Sequence, residues 1–340
     1  MTTKLSQWQR IALLAAGIAA SMVSAAWGGN TSLYQLHSDG TIWQYTGVPC
    51  SGNVCSGWLQ LDDNRLSTQI AGAGGLLYQM HADGSIWKYV GPACSGGSCP
   101  GWIMLDDNPK NIMIIAGEGQ LYQWHWDGSV WQFTGQACNG NSCLGWVQID
   151  QDLSLQDLAA GGGPLYTMDN DGTFWQYTGQ PCSGSVCFDW LEIDDNPATS
   201  SGFAAGLTAL YQQHRDGTIW QYTGPACNAT TCPGWLLIGN NNGKFSPQFS
   251  AGGALYQQKS DYSIWQYTGT PCSGNTCPGW SELDNNPETQ YIYGGSATVY
   301  QQHWDRSVWQ YTGQPCYKNV CSGWVKLDDN PGTMTVVPSF

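Results

Sequence analysis

Along nearly the whole chain, short runs of aromatic and β-branched residues alternate with clusters of Gly, Asp, Ser and Pro. No stretch long enough for a helix carries a helical period, so the pattern predicts strands joined by tight turns. Leu33 to His37 reads as a strand, His37-Ser38-Asp39-Gly40 as a hairpin turn, and residues 42–46 as the returning strand. A Pro/Gly/Cys loop then leads to a third run, Trp58 to Asp62. A fourth run precedes each Leu-Tyr pair, as in residues 68–71 and 111–116. It ends in small residues, Ile70-Ala71-Gly72 or Ala159-Ala160-Gly161, which suit a strand crowded around a central channel.

This four-run unit recurs seven times. Trp43, Trp87, Trp131, Trp175, Trp220, Trp265 and Trp309 are spaced 44, 44, 44, 45, 45 and 44 residues apart. A second series, Trp58, Trp102, Trp146, Trp190, Trp235, Trp280 and Trp324, follows each of them by 15 residues. A tyrosine series, beginning at Tyr34 and Tyr78, precedes the first tryptophans by nine. Four strands in 44 or 45 residues is the size of a propeller blade. The fold expected is therefore all-β, a seven-bladed β-propeller, and one domain over residues 26–340. The length of 340 residues would otherwise suggest two domains.

The end of the chain matches the start. Val336 and Val337 follow Asn330-Pro331 at the offset where Ile114 and Ile115 follow Asn108-Pro109. No further Leu-Tyr strand comes after them. Residues 333–337 are thus expected to pair beside Leu33 to His37 and close the ring. A rival for that place is Trp27-Gly28-Gly29, which aligns with Tyr293-Gly294-Gly295.

The cysteines obey the same period. All 14 fall in Cys-x4-Cys pairs, one per repeat: Cys50–Cys55, Cys94–Cys99, Cys138–Cys143, Cys182–Cys187, Cys227–Cys232, Cys272–Cys277 and Cys316–Cys321. An even count behind a leader points to disulfides. A metal centre would need about four ligands, and no pair has a second pair or a His beside it. Each bond closes a loop of six residues and contributes only about 2 kcal/mol.

Lys4 and Arg10 flank an apolar stretch, residues 11–20, followed by the small residues Ser24-Ala25-Ala26. This reads as a signal peptide over residues 1–25, and so as a secreted or periplasmic protein. Its removal takes the net charge from −14 to −16. An acidic surface without a Lys/Arg run makes nucleic acid a poor partner. No later stretch is long and apolar enough for a membrane span in the mature chain, and no motif calls for a cofactor or a resident metal.

The recurring phrase is Leu-Tyr-Gln-x-His-x-Asp-Gly-x-Ile-Trp-Gln-Tyr-Thr-Gly, then Cys-Ser-Gly-Asn-x-Cys-x-Gly-Trp and Leu-Asp-Asp-Asn-Pro. It resembles the tectonin-like and tachylectin-like propeller lectins, most of all the seven-bladed bacterial lectins of the Photorhabdus type. The resemblance spans residues 27–331 and implies sugar sites in clefts between adjacent blades, with fucose or O-methylated sugars as ligands. The partner it implies is a glycan or glycoconjugate.

The residues themselves suit that reading. A sugar offers apolar C–H faces fringed by hydroxyls, and its site needs an aromatic platform with a few hydrogen-bonding groups. Both tryptophan series are candidates, although filling the space between blades is an equally ordinary use of them. Trp126 and Trp304 occupy the hairpin tip that holds Ser38, Ala82, Asn170, Arg215 and Ser260 elsewhere, so they add two exposed aromatic candidates. His37, His81, His125, His214 and His303 share one repeat position, replaced by Asp169 and Lys259 in repeats four and six. On separate blades they cannot form a common metal or catalytic site, and they read as structural. Asp39 and its six copies precede the hairpin turn and read as turn formers. The Asp62-Asp63-Asn64 triplet could bind calcium or sugar hydroxyls, but acidic loops are more often simply solvated. Thr167 with Asp169, Gly239-Asn240-Asn241, and Lys259 with Tyr262 depart from the phrase, so repeats four to six are expected to carry altered sites.

Two other functions compete. A protein-binding scaffold could use the same aromatic clefts. A propeller glycosidase is disfavoured: nearly every carboxylate is a repeat copy, and Arg65, Arg215 and Arg306 form no cluster. The expectation is a multivalent lectin that is not an enzyme.

Overall fold

The computed structural model describes residues 32–339, apart from 185, 196–199, 229–230, 245, 247 and 319. The expected signal peptide, residues 1–25, and the rival Trp27-Gly28-Gly29 segment lie outside the described residues.

The alternation within each repeat produces one four-stranded antiparallel sheet, and there are seven such blades, a seven-bladed β-propeller. Blade 2 runs from its innermost strand Ser67–Ala73 through Leu76–His81 and Ile86–Tyr89 to its outermost strand Trp102–Asp106. Blade 1 is built from both chain ends. Its innermost strand is Thr333–Pro338, followed outwards by Leu33–His37, Ile42–Tyr45 and Trp58–Asp62. Tyr34 lies opposite Val337 and Gln35 opposite Val336, so the C-terminal segment closes the ring as its sequence offset predicts. Closure leaves no unpaired edge at the joint.

There is no single core. Seven small apolar clusters sit between neighbouring blades, each drawing on both. One combines Tyr34, Leu36, Ile42 and Leu61 of blade 1 with Ile70 and Leu77 of blade 2. The Tyr34 series is thereby buried throughout. Around the channel the innermost strands come so close that a side chain would not fit. A Cβ on Gly117 would lie 2.6 Å from the carbonyl oxygen of Gly161, and one on Gly161 2.3 Å from that of Gly206. The small residues ending each innermost strand follow from that crowding.

A bulge repeated in all seven blades ties each blade to the next. In blade 1, Ile42 pairs with Asp62 but Trp43 pairs with Gln60, which leaves Leu61 as the extra residue. The same shift recurs in the other six. The carbonyl of Leu61, freed from the ladder, accepts a hydrogen bond from Trp102 Nε1 of blade 2 at 2.9 Å. Every member of the Trp58 series makes this bond to the preceding blade.

The seven disulfides form with the pairing read from the sequence, Cα–Cα distances being 4.0–4.2 Å. Their loops also reach across. Cys94 N–H donates to the Gln60 carbonyl of the preceding blade, and each first cysteine of a pair does the same. Disulfides on this scale belong to an oxidising environment. No helix among the described residues is long and apolar enough to cross a membrane.

Candidate functional site

The two tryptophan series meet in the clefts between blades. Opposite residues of paired strands share a face, and Trp43 lies opposite Gln60 while Tyr45 lies opposite Trp58. Tyr45 and Trp58 pack against Tyr300 and Leu327 of blade 7, so this face is turned to the preceding blade. All fourteen tryptophans are half-buried. Their indole N–H groups are already used, which leaves ring surface rather than polar edges to offer. The Trp58 series donates to the preceding blade, as above, and each ring lies tilted against its Tyr45-type neighbour.

The Trp43 series is oriented by its own hairpin. Asp39 Oδ1 accepts from the backbone N–H and hydroxyl of Thr41, whose Oγ1 accepts from Trp43 Nε1 at 3.0 Å. The same Trp-to-hydroxyl bond recurs in the other six blades. Asp39 and its copies are thus turn formers, held below their ordinary carboxylate range by these hydrogen bonds in the Asp39 case and its close equivalents. The histidines pack beside the same tryptophans, His37 with its ring centre 5.8 Å from that of Trp43. His81 and His125 Nδ1 also bond Ser85 and Ser129 Oγ, at 3.2 and 3.1 Å. Burial lowers their pKa values, so they are neutral imidazoles at neutral pH. Each lies on a separate blade, and blades 4 and 6 carry Asp169 and Lys259 in that place.

Beneath the rings runs a buried polar network that the sequence reading missed. Gln79 Nε2 donates to Asp62 Oδ2 of the preceding blade at 2.8 Å, and Gln79 Oε1 accepts from Ser67 Oγ at 2.6 Å. Asp284, Gln301 and Thr289 repeat the arrangement between blades 6 and 7. Between blades 7 and 1, Thr333 of the closing strand bonds both Asp328 and Gln35. The signal was present: Gln recurs at this strand position in six of seven repeats, with Thr167 as the exception. An inward-facing Gln in a buried strand needs a partner, and the partner comes from the preceding blade.

The departing repeats change this layer. Between blades 5 and 6, Gly239 stands in the Asp position and Asn241 donates to Gln257 instead, at 2.9 Å. Lys259, replacing His, places its Nζ 3.7 Å from the ring centre of Trp265. Between blades 3 and 4 a pocket of about 320 Å³ opens, lined by Asp150, Asp152, Thr167, Asp169, Trp175, Cys187, Phe188 and Trp190.

Trp126 and Trp304 project at their hairpin tips, 65% and 54% exposed. Lys110 Nζ lies 5.6 Å from the Trp126 ring centre. Trp124 does not share that exposure. It is half-buried and packs against the cluster between blades 3 and 4, because Trp126 belongs to the turn, where strand alternation has ended. The Asp-Asp pairs lie beside sulfurs of the following blade, Asp62 and Asp63 near Cys99 for example. Those sulfurs are disulfide-bonded and are not thiolate ligands.

No protein-family model matches the chain, and no curated protein matches it. Solved structures do. Prp20p from Saccharomyces cerevisiae aligns over 88% of this chain and 86% of its own, at 9% identity and a TM-score of 0.56. Yeast RCC1 (Prp20), solved with Kap60, aligns over 83% and 78%, at 10% identity and 0.53. At such identities the likeness is one of fold alone. The SapL1 lectin in complex with alpha methyl fucoside aligns over 76% of this chain and 93% of its own, at 14% identity and 0.41.

Proposed function

We propose that this protein is a secreted or periplasmic, multivalent lectin that binds neutral sugars in the clefts between its blades. The observation that carries the reading is the pair of half-buried tryptophans in every cleft, with their N–H groups satisfied internally and Asp, Asn and Gln side chains near them. Ring faces held rigid by a hydrogen-bonded hairpin suit the C–H face of a pyranose. The resemblance of the repeat phrase to the tectonin-like and Photorhabdus-type lectins supports the same reading and suggests fucose or O-methylated sugars. Trp126 and Trp304 offer further contact at the hairpin tips. Residues 1–25 serve as the export signal.

The role is binding rather than catalysis. Glycoside cleavage needs two carboxylates held across one bond, whereas the regular clefts each hold a single buried Asp engaged by the neighbouring blade. Similar sites on one ring give avidity well above single-site affinity. A glycan array on the mature chain tests the proposal, followed by calorimetry with a monovalent methyl fucoside. Sugar-specific binding with several sites per chain is expected. A chain that binds no glycan, but does capture protein, is a scaffold and not a lectin.

A further inference from the structure

The cleft between blades 3 and 4 departs from the regular ones at four positions, all within residues 152–169. Where blade 2 has Gln79 and Ser67 it has Thr167 and Leu155, so the amide that engages the Asp and the hydroxyl that holds that amide are both gone. Where other repeats have His and Asn, as His81 and Asn64, it has Asp169 and Asp152. Two changes remove donors and two add carboxylates, and three of the four residues line the same pocket.

Hydrogen bonds show what is missing there. Asp150 Oδ1 accepts from the Gln151 N–H at 2.9 Å, but no described donor reaches Oδ2, the oxygen that Gln79 Nε2 and Gln301 Nε2 serve in regular junctions. Asp169 is 93% buried, being only 7% exposed. Its Oδ2 accepts from Trp175 Nε1 at 3.0 Å and Thr173 Oγ1 at 3.4 Å, whereas its Oδ1 has no partner among the described residues. Among the described residues, no Lys or Arg lines the pocket. Besides Thr167 and Cys187, its remaining wall is aromatic: Trp175, Trp190 and Phe188, the last 80% exposed at the rim.

We propose that this cleft is a separate site for a protonated primary amine carried on a small body with apolar C–H faces. The ammonium supplies the N–H donors that Asp150 and Asp169 lack, and the indole faces take the C–H surface and part of the charge. A bare metal ion fits less well. The oxygens of the three carboxylates do not all come within 4.8 Å of one another, and three of the eight lining residues are aromatic. Burial first, and then the neighbouring Asp152 and Asp169, pushes Asp150 up to about 7, a repulsion that a bound cation relieves. The site stands whether or not the other clefts take neutral sugars.

The test is calorimetry at pH 7 on the mature chain with glucosamine, N-acetylglucosamine, glucose and cyclohexylamine. Glucosamine or cyclohexylamine is expected to bind at one site per chain, at least tenfold more tightly than the two uncharged sugars. Tighter binding of glucosamine identifies an amino sugar as the source, and tighter binding of cyclohexylamine an aliphatic amine. The triple variant D152N/T167Q/D169H restores residues found in other repeats and is expected to abolish the amine preference. The near-isosteric Asp169→Asn is expected to weaken it at least fivefold. Amines that bind no better than glucose, amine binding unchanged in both variants, or a site that takes calcium and not the amines would each overturn the proposal. Loss of neutral-sugar binding alone would count against the lectin reading and leave this one standing.

Discussion

The junction between blades 1 and 2 and the junction between blades 3 and 4 share one backbone plan and differ in what fills it. Both have the bulge, the tryptophan bond to the freed carbonyl and the cysteine loop hooked to the preceding strand. In the first, Asp62 is buried and engaged by Gln79. In the second, the equivalent Asp150 keeps only a backbone donor on one oxygen, and space replaces the amide. The backbone bonds hold the ring regardless of sequence in the side-chain layer, which leaves that layer free to change. Asp150 is half-buried where Asp62 is buried, and a partly desolvated carboxylate that keeps a single backbone donor is less well compensated than one engaged by an amide.

Three experiments break or sharpen the contrast. The largest effect is expected from deleting residues 333–340. This removes the innermost strand of blade 1, with Thr333 and Val336 each only 1% exposed, and with it the Asp328–Thr333–Gln35 junction. Size-exclusion chromatography and thermal melting should show association or loss of the cooperative transition, since the edge of Leu33–His37 loses its partner strand. A truncated chain that stays monomeric with the same Tm would mean that the strand is not the clasp.

The second compares Gln79→Ala with Thr167→Ala. The first leaves a buried carboxylate unserved and should cost about 3 kcal/mol in denaturant unfolding. The second removes a hydroxyl and a methyl from a junction already without the network, at about 1 kcal/mol. Equal costs would show that the network does not distinguish the two junctions.

The smallest effect concerns pH. The Asp150 carboxyl ordinarily titrates near 3.8 and is raised to about 7 in the fold, by burial above all. A raised folded pKa means a penalty absent below about 4 and fully present above about 7. Asp150→Asn should therefore raise Tm at pH 8, with the gain shrinking as pH falls from 7 towards 4. The five histidines, which burial lowers, titrate alike in both proteins and cancel in the difference. A gain independent of pH would place the Asp150 charge in solvent.

Much of the architecture was legible in the sequence because each repeat is its own local device. The Trp43 and Trp58 spacing, the Asp-Gly hairpin and the Cys-x4-Cys loop each concern residues within one blade. The offset of Val336 and Val337 even placed the closing strand. The candidate cleft was legible only in part. Thr167 and Asp169 stood out as departures, but Asp152 passed unnoticed among acidic loops, and Leu155 had no role until Ser67 was seen to bond Gln79. The Gln series looked like strand filler because its partners sit one repeat away.

By itself the sequence determined seven blades, their strands and their disulfides, since hydrophobic alternation, turn residues and loop cysteines act over a few residues. The tertiary structure decided which side chains share a cleft. Asp150 closes one blade while Thr167, Asp169, Trp175 and Trp190 belong to the next, and only ring packing brings their faces together. Burial there also sets the protonation of Asp150, because desolvation depends on neighbours that the local sequence does not name.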